Sequence, residues 1–401
     1  MSETGLPKAK LVSETTVLVL IASLLVVSLV FSSGLSAAII TNSGTIAYTQ
    51  PLHVEGKDIK DQGGNLVYLR GANKPEFADD PDGIWMGNTY WLDSNVQQEL
   101  SMMKSWGINT IRCHLAVDDW KYDLSKPYAT LNCRTAIKRL LTFAGLQGMY
   151  VVLDGYRVTN FWNGGDQDPL PYPPYQTSAN ASSVISSQQD FIDWWTSMAT
   201  ELKGYSNVIF ELWNEPYGNS TAKESWFNVA QECIDTIRAT GATQLIIFQW
   251  DMAAWVNLNF PEPDPGDLSW VKEGNLSDPL GNIVYSTHLY RCYNHIFYSI
   301  PTYVQAWNYT DVDRGLQYMG YYDVAATYPL FIGEIGVNLG AASLSNELSF
   351  FNNSLSLFNQ HNVSYTAFWW REIGLWAIHG GPPSFTPNQV GQILKAQLKG
   401  P

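Results

Sequence analysis

The stretch Val208-Ile209-Phe210-Glu211-Leu212-Trp213-Asn214-Glu215-Pro216 decides the fold. Its first half is a short apolar run rich in strand-forming residues. Apolar runs with little alternation mark strands buried on both faces, as in parallel sheets flanked by helices. The run ends in Asn214-Glu215-Pro216. Proline cannot continue a central ladder and pushes the residue before it into an extended geometry. Glu215 therefore sits where a buried strand runs out into a loop. In parallel α/β folds that edge is where chemistry is placed.

A second stretch repeats the pattern. Tyr328-Pro329-Leu330-Phe331-Ile332-Gly333-Glu334-Ile335-Gly336 is again an apolar strand ending on one glutamate, here between glycines. Two carboxyl groups at one end of a parallel barrel are what cleavage of a glycosidic bond requires. One must be neutral to protonate the leaving oxygen. The other must be ionised, to attack the sugar or to activate water.

Further apolar strands are predicted at Leu66–Arg70, Asn109–His114, Tyr150–Asp154, Leu245–Gln249, Ile283–His288 and Tyr365–Trp369. Helices are predicted between them, at Asp93–Trp106, Leu131–Leu146, Gln188–Lys203, Ala222–Ala239, Asp313–Ala326 and Ser345–His361, with a last one at Gln389–Lys399. Strands alternating with helices in this way predict an α/β fold, a single (β/α)8 barrel of the TIM type with long loops at the C-terminal face of its strands. The loops at 156–187 and 250–281 are long and rich in Pro, Gly and Trp, as functional loops are.

With these segments in place, the chain resembles glycoside hydrolase family 5, the cellulase family. Leu212-Trp213-Asn214-Glu215-Pro216 and Ile332-Gly333-Glu334-Ile335-Gly336 look like that family's two signature segments. Ser286-Thr287-His288-Leu289-Tyr290 resembles its His-x-Tyr strand end, Asn109-Thr110-Ile111-Arg112 its Ile-Arg segment, and Ala367-Phe368-Trp369-Trp370 the strand end carrying its active-site tryptophan. The resemblance implies a retaining endo-β-1,4-glucanase with Glu215 as acid/base and Glu334 as nucleophile. It implies that Arg112 neighbours Glu334, that Asn214 meets the sugar 2-hydroxyl, that Tyr290 holds Glu334 and that His288 lines the cleft. It puts Trp370 under the sugar, with Trp369 as the rival because a slip of one residue flips the face. The sequence departs from the family at Val151-Val152-Leu153-Asp154-Gly155-Tyr156-Arg157, where Tyr156 stands in place of a histidine. Tyrosine can donate to a sugar hydroxyl but is not a cation at working pH. Substrate preference, β-glucan against β-mannan or another β-1,4-glycan, stays open on that account. The other readings are a non-catalytic sugar-binding protein and a cell-surface transglycosylase using the same residues.

Composition limits the partners. The 401 residues carry 23 basic and 37 acidic side chains, a net charge of −14, which argues against nucleic acid as a partner. Aromatic residues make up 13% of the chain, with 16 Trp and 22 Tyr, and offer flat apolar faces with polar tips suited to sugar rings; Trp85, Trp91, Trp120, Trp162, Tyr217, Trp250 and Trp255 are read either as loop packing or as sugar-stacking platforms. No Cys-x-x-Cys and no dense histidine cluster occurs, so neither a zinc site nor any cofactor is expected. A monomer acting on a polysaccharide is expected. Lys8 and Lys10, the apolar run Val17–Phe31 and Ser36-Ala37-Ala38 read as an export signal over residues 1–38, or as an uncleaved anchor. Residues 39–401 then form one catalytic domain, secreted or membrane-anchored. Asn-x-Ser/Thr sequons at Asn180, Asn219, Asn275, Asn308, Asn352 and Asn362 fit export. Of Cys113, Cys133, Cys233 and Cys292, the favoured disulfide pair is Cys113 with Cys133.

Overall fold

A computed structural model of the chain describes residues 49–75, 93–124, 131–160, 165, 167–250, 268–273, 276–291, 308–372 and 374–399, apart from the Tyr318 side chain. The predicted export segment, Trp85, Trp91, Trp162, Asp251, Trp255 and Cys292 lie outside the described residues.

Ten strands are described. β1 (Leu52–Glu55) and β2 (Asp58–Asp61) form an antiparallel hairpin. β3 (Arg70–Asn73), β4 (Thr110–Ala116), β5 (Tyr150–Arg157), β6 (Val208–Glu211), β7 (Ile246–Gln249), β8 (Ile283–Tyr290), β9 (Leu330–Gly336) and β10 (Ser364–Phe368) follow. The last eight close into a parallel barrel in sequence order, with β10 pairing back onto β3. The predicted (β/α)8 barrel is the fold.

Each strand pair is spaced by helix. Asp93–Trp106, Cys133–Leu146, Gln188–Leu202, Ser220–Ala239 and Leu344–Gln360 are the long ones, and Gln389–Leu398 follows the last strand. Their starts are written locally: Ser187 and Asn219 accept from the backbone N–H of Asp190 and Ala222, satisfying first-turn donors. Their apolar faces close on the outside of the barrel, as with Phe191, Trp194, Trp195, Met198 and Leu202.

Period-two alternation sorts the barrel side chains. Val151, Leu153, Phe210, Ile246 and Ile332 face the helices in the large outer core. Tyr150, Val152, Ile209, Ile247, Val284 and Phe331 face inward and form a second, inner core with Leu52 and Ile59 of the hairpin and Leu69. Further along the same strands the inward positions become polar: Arg112 and His114 on β4, Asp154 on β5, Glu211 on β6 and His288 on β8 are all buried. The barrel interior is thus apolar at one end and charged at the other.

Some expectations shift. The first barrel strand is Arg70–Asn73, not the apolar Leu66–Arg70, because backbone pairing there demands closeness that Gly71 alone allows: a Cβ on it would stand 1.7 Å from the Thr110 carbonyl oxygen. The β1–β2 hairpin precedes the first barrel strand. The predicted helix over 313–326 is two helices, Tyr309–Tyr318 and Tyr321–Ala325, parted at Gly320 with φ +79°. The favoured disulfide is not made: Cys113 and Cys133 are both buried, on β4 and at the start of a helix, without a bond between them. Among the described residues no helix is long and apolar enough to cross a membrane.

Candidate active site

The charged end of the barrel holds the site. β6 ends at Glu211, and the chain then leaves the barrel wall. Trp213 turns outward to donate to the Asp168 carbonyl at 3.1 Å, and the Asn214 N–H donates to the Gly155 carbonyl at 2.7 Å. Glu215 follows at φ +46°, a left-handed conformation unusual for a residue with a side chain. Its N–H is held by Gln249 Oε1 at 3.2 Å. Strained residues of this kind persist where surrounding structure over-determines them, as at functional sites.

Arg112 is the hub, fully buried at 0% exposure. Nε and Nη2 donate to Glu211 at 2.6 and 3.1 Å. Nη1 donates to Asn73 at 3.0 Å and to Glu334 Oε1 at 2.8 Å, while Nη2 also meets Asn214 Oδ1 at 2.9 Å and Asp154 Oδ2 at 2.9 Å. One guanidinium thus ties β3, β4, β5, β6 and β9 together. A planar fork with five donors is suited to this in a way lysine is not.

Glu334 and Glu215 sit in different company. Glu334 takes Arg112 on Oε1 and the Tyr290 hydroxyl on Oε2 at 2.6 Å, and His114 Nε2 stands 3.4 Å from Oε1. Glu215 is bonded to His288 Nδ1 at 2.7 Å and receives Gln167 Nε2 at 3.3 Å. The two carboxyl groups expose 6% and 5% of their surface and approach within 4.8 Å through their nearest functional oxygens. Burial alone would push the Glu334 carboxyl up. The His288 ring, the His114 hydrogen bond and the Arg112 charge outweigh it and hold Glu334 far below the usual carboxylate range. Burial pushes Glu211 above that range, and Arg112 cancels only part of the push. Burial beside Glu334 also raises the Tyr290 hydroxyl far above its ordinary range, so it remains a donor.

Arg112, Asn214, Glu215, His288, Tyr290 and Glu334 are therefore brought to one place. Tyr156 is half-buried at the same rim, its ring 4.3 Å from that of His114 and Arg157 over its outer face at 4.4 Å. Trp370 is not at the site face. It is 0% exposed and packed edge-on against Trp106 at 4.7 Å and beside Phe385. Its backbone N–H donates to the Asn73 carbonyl at 2.8 Å, and its ring lies in the gap between barrel and helix. Trp369 is half-buried between Phe368 at 4.5 Å and Arg371, and the aromatic of this strand end beside the site is Phe368, 6.3 Å from the His114 ring and 6.2 Å from that of Tyr290. Trp120, Tyr217 and Trp250 are buried.

Sequence reasoning passed over His114, Asp154, Glu211, Asn73 and Gln167. His114 had a usable signal: it lies two residues beyond Arg112 on a strand, hence on the same face. Gln167 lies in a long loop, where no periodicity reports direction. Glu215, His288 and Glu334 are the group among the described residues whose donor atoms are close enough to hold a metal ion. Arg112 places a permanent positive charge 2.8 Å from one of those carboxylates, which disfavours a second cation there.

A profile of the family described as cellulase (glycosyl hydrolase family 5) matches residues 61–373. The chain belongs to glycosyl hydrolase family 5. Relatives within reach include a mannan endo-1,4-beta-mannosidase of Cellvibrio japonicus, 22% identical over 293 residues, covering 71% of this chain and 52% of that one. Endoglucanase A of Butyrivibrio fibrisolvens is 24% identical over 348 residues, covering 82% of this chain and 69% of the relative. The match thus spans about half of the first of these relatives. Among solved structures, a hyperthermophilic endocellulase from Pyrococcus horikoshii superposes with a TM-score of 0.67 at 19% identity, over 88% of this chain and 99% of that one. The family 5 barrel places its charged end where the two signature glutamates meet.

Proposed function

We propose that the chain is a retaining endo-β-1,4-glycanase acting on β-glucan. The observation that carries this reading is the pair Glu215 and Glu334, within 4.8 Å, of which Glu334 alone is held by Arg112 and Tyr290. Retaining glycosidases keep their carboxyl groups about 5 Å apart, leaving no room for a water between them, whereas inverting ones stand ~6.5–9.5 Å apart. Glu334, kept ionised, attacks the anomeric carbon. Glu215 gives its proton to the leaving glycosidic oxygen, and the bond to the aglycone breaks. In the second step Glu215 takes a proton from water, which displaces Glu334 and restores the starting configuration. Asn214, clamped by Arg112, meets the 2-hydroxyl, His288 and Gln167 orient Glu215, and Phe368, beside His114 and Tyr290, offers the sugar an apolar ring.

Glucan is favoured over mannan on the weight of endoglucanase relatives, and a mannanase among them keeps the second reading specific. Viscosity and reducing ends are to be followed on carboxymethyl-cellulose, barley β-glucan and galactomannan. Fast viscosity loss on the two glucans alone is expected. Loss on galactomannan alone would assign a mannanase and direct attention to Tyr156. No loss on any of them, from folded protein, would overturn the glycanase reading.

Glu215→Ala is expected to slow hydrolysis of the natural polymer by about 10²–10⁴-fold, the usual contribution of a positioned acid. Azide should restore turnover of an activated aryl glycoside and give the β-glycosyl azide, since it attacks the glycosyl-enzyme from the face that water uses. An α-azide product would mean that the two carboxyl roles are exchanged or that configuration is not retained.

A further inference from the structure

His114 has a geometry that the hydrolytic scheme above leaves unused. It lies on β4 two residues after Arg112 and is 2% exposed. Its Nδ1 stands 2.7 Å from Asp154 Oδ2, and its Nε2 stands 3.4 Å from Glu334 Oε1. Arg112 on the same strand, Asp154 and Tyr156 from β5, Glu334 from β9 and Phe368 from β10 surround it.

The protons follow from the partners. Asp154 Oδ2 also accepts from Arg112 Nη2 at 2.9 Å, so this oxygen is an acceptor toward both neighbours. His114 Nδ1 must then carry a hydrogen. Its other nitrogen faces a second carboxylate. A bare Nε2 would set its lone pair against a charged oxygen, whereas an N–H there completes a donor at each end of the ring. Burial opposes a charged ring, but the hydrogen bonds to Asp154 and Glu334 prevail and raise the His114 pKa. Tyr156, whose hydroxyl burial pushes up, supplies no charge from its side of the rim.

We propose that His114 is a positioning residue for the reaction: aligned by Asp154 through Nδ1, it presents Nε2–H to Glu334 as a second cationic donor beside Arg112. It acts through the nucleophile and does not touch the sugar. Two cations flanking one carboxylate oxygen keep Glu334 ionised before attack and make it a better leaving group when water displaces it. The inference rests on the reading of Glu334 as the nucleophile.

The test uses the full chain and an activated 2-deoxy-2-fluoro-β-cellobioside, with its manno-configured counterpart in parallel. Labelling of Glu334 is followed by intact mass and peptide mapping between pH 3 and 8, for the wild type and for His114→Gln and His114→Asn. Both variants keep a neutral side-chain N–H donor and remove the charge. Wild-type labelling should show no Glu334 acid limb down to pH 3, and an acid limb should enter that range in either variant, because a nearby opposite charge lowers a carboxyl pKa by about 1–3 units. The plateau rate should fall by roughly tenfold. A role confined to packing would slow labelling and leave the acid limb where it was, and that result in a folded variant overturns the proposal. Wild-type protein left unlabelled by both reagents would overturn the glycosidase reading, and this inference with it.

Discussion

Glu334→Gln is expected to lose hydrolysis by at least about 10⁴-fold, since removing the covalent nucleophile of a serine protease costs about 10⁶-fold. The amide is nearly the same size and cannot attack an anomeric carbon. It can keep the local bonds. Its oxygen accepts from Arg112 Nη1, and its nitrogen faces the Tyr290 hydroxyl oxygen, which can accept. Arg112 retains Glu211 and Asp154, so the barrel stays closed. Activity is read as kcat/KM on an activated aryl β-cellobioside, with thermal unfolding measured alongside. Turnover within about tenfold of wild type would remove Glu334 from the nucleophile role. The variant should also change the acid dependence of stability. In the folded protein the Glu334 carboxyl is held below its unfolded value, so the native state favours the ionised form. That contribution is complete above the ordinary Glu range near pH ~4.3 and fades as pH falls through the folded value. Glu334→Gln should therefore lose less stability on acidification than wild type does.

Arg112→Met should have the largest effect on the fold itself. The substitution fills similar space and removes the cation to which Glu211, Asp154 and Glu334 all turn. Leaving one partner of a buried ion pair unmatched costs about 3–5 kcal/mol. Here the orphaned carboxylates are several, and two of them, Asp154 and Glu211, are fully buried. The loss should be greatest at neutral pH. Burial already holds the Glu211 carboxyl above the usual range with Arg112 opposing it, so without Arg112 its folded pKa rises further, the native state binds more protons than the unfolded state and stability rises as pH falls. Denaturant unfolding at pH 4.5 and 7.5 reads both effects. A variant within about 1 kcal/mol of wild type at pH 7.5 would mean that Arg112 does not hold the charged layer together.

Much of this was legible in the chain. Apolar runs ending on Glu215 and Glu334 marked two strand ends, because a parallel barrel buries both faces of each strand and can leave polar groups only at the mouth. The same rule hid Glu211. A lone acid inside an apolar run carries no periodic signal, and its burial becomes possible only once Arg112 arrives from a strand two places away in the barrel. Gln167, from a loop, was invisible for a similar reason.

What the sequence determined by itself was the barrel, its strand order and the two glutamates, since these follow from hydrophobic period, turn residues and chain order. What only the tertiary structure decided was the partnership of side chains across strands. Trp369 and Trp370 are adjacent in sequence, and packing against Trp106 and Phe385 takes the second of them into the core. His114 and Tyr156 lie on neighbouring strands, and barrel closure brings the imidazole, not the phenol, to Glu334. Local sequence sets which face a residue occupies. Distances between faces are set by register and closure, and electrostatic coupling falls off with those distances.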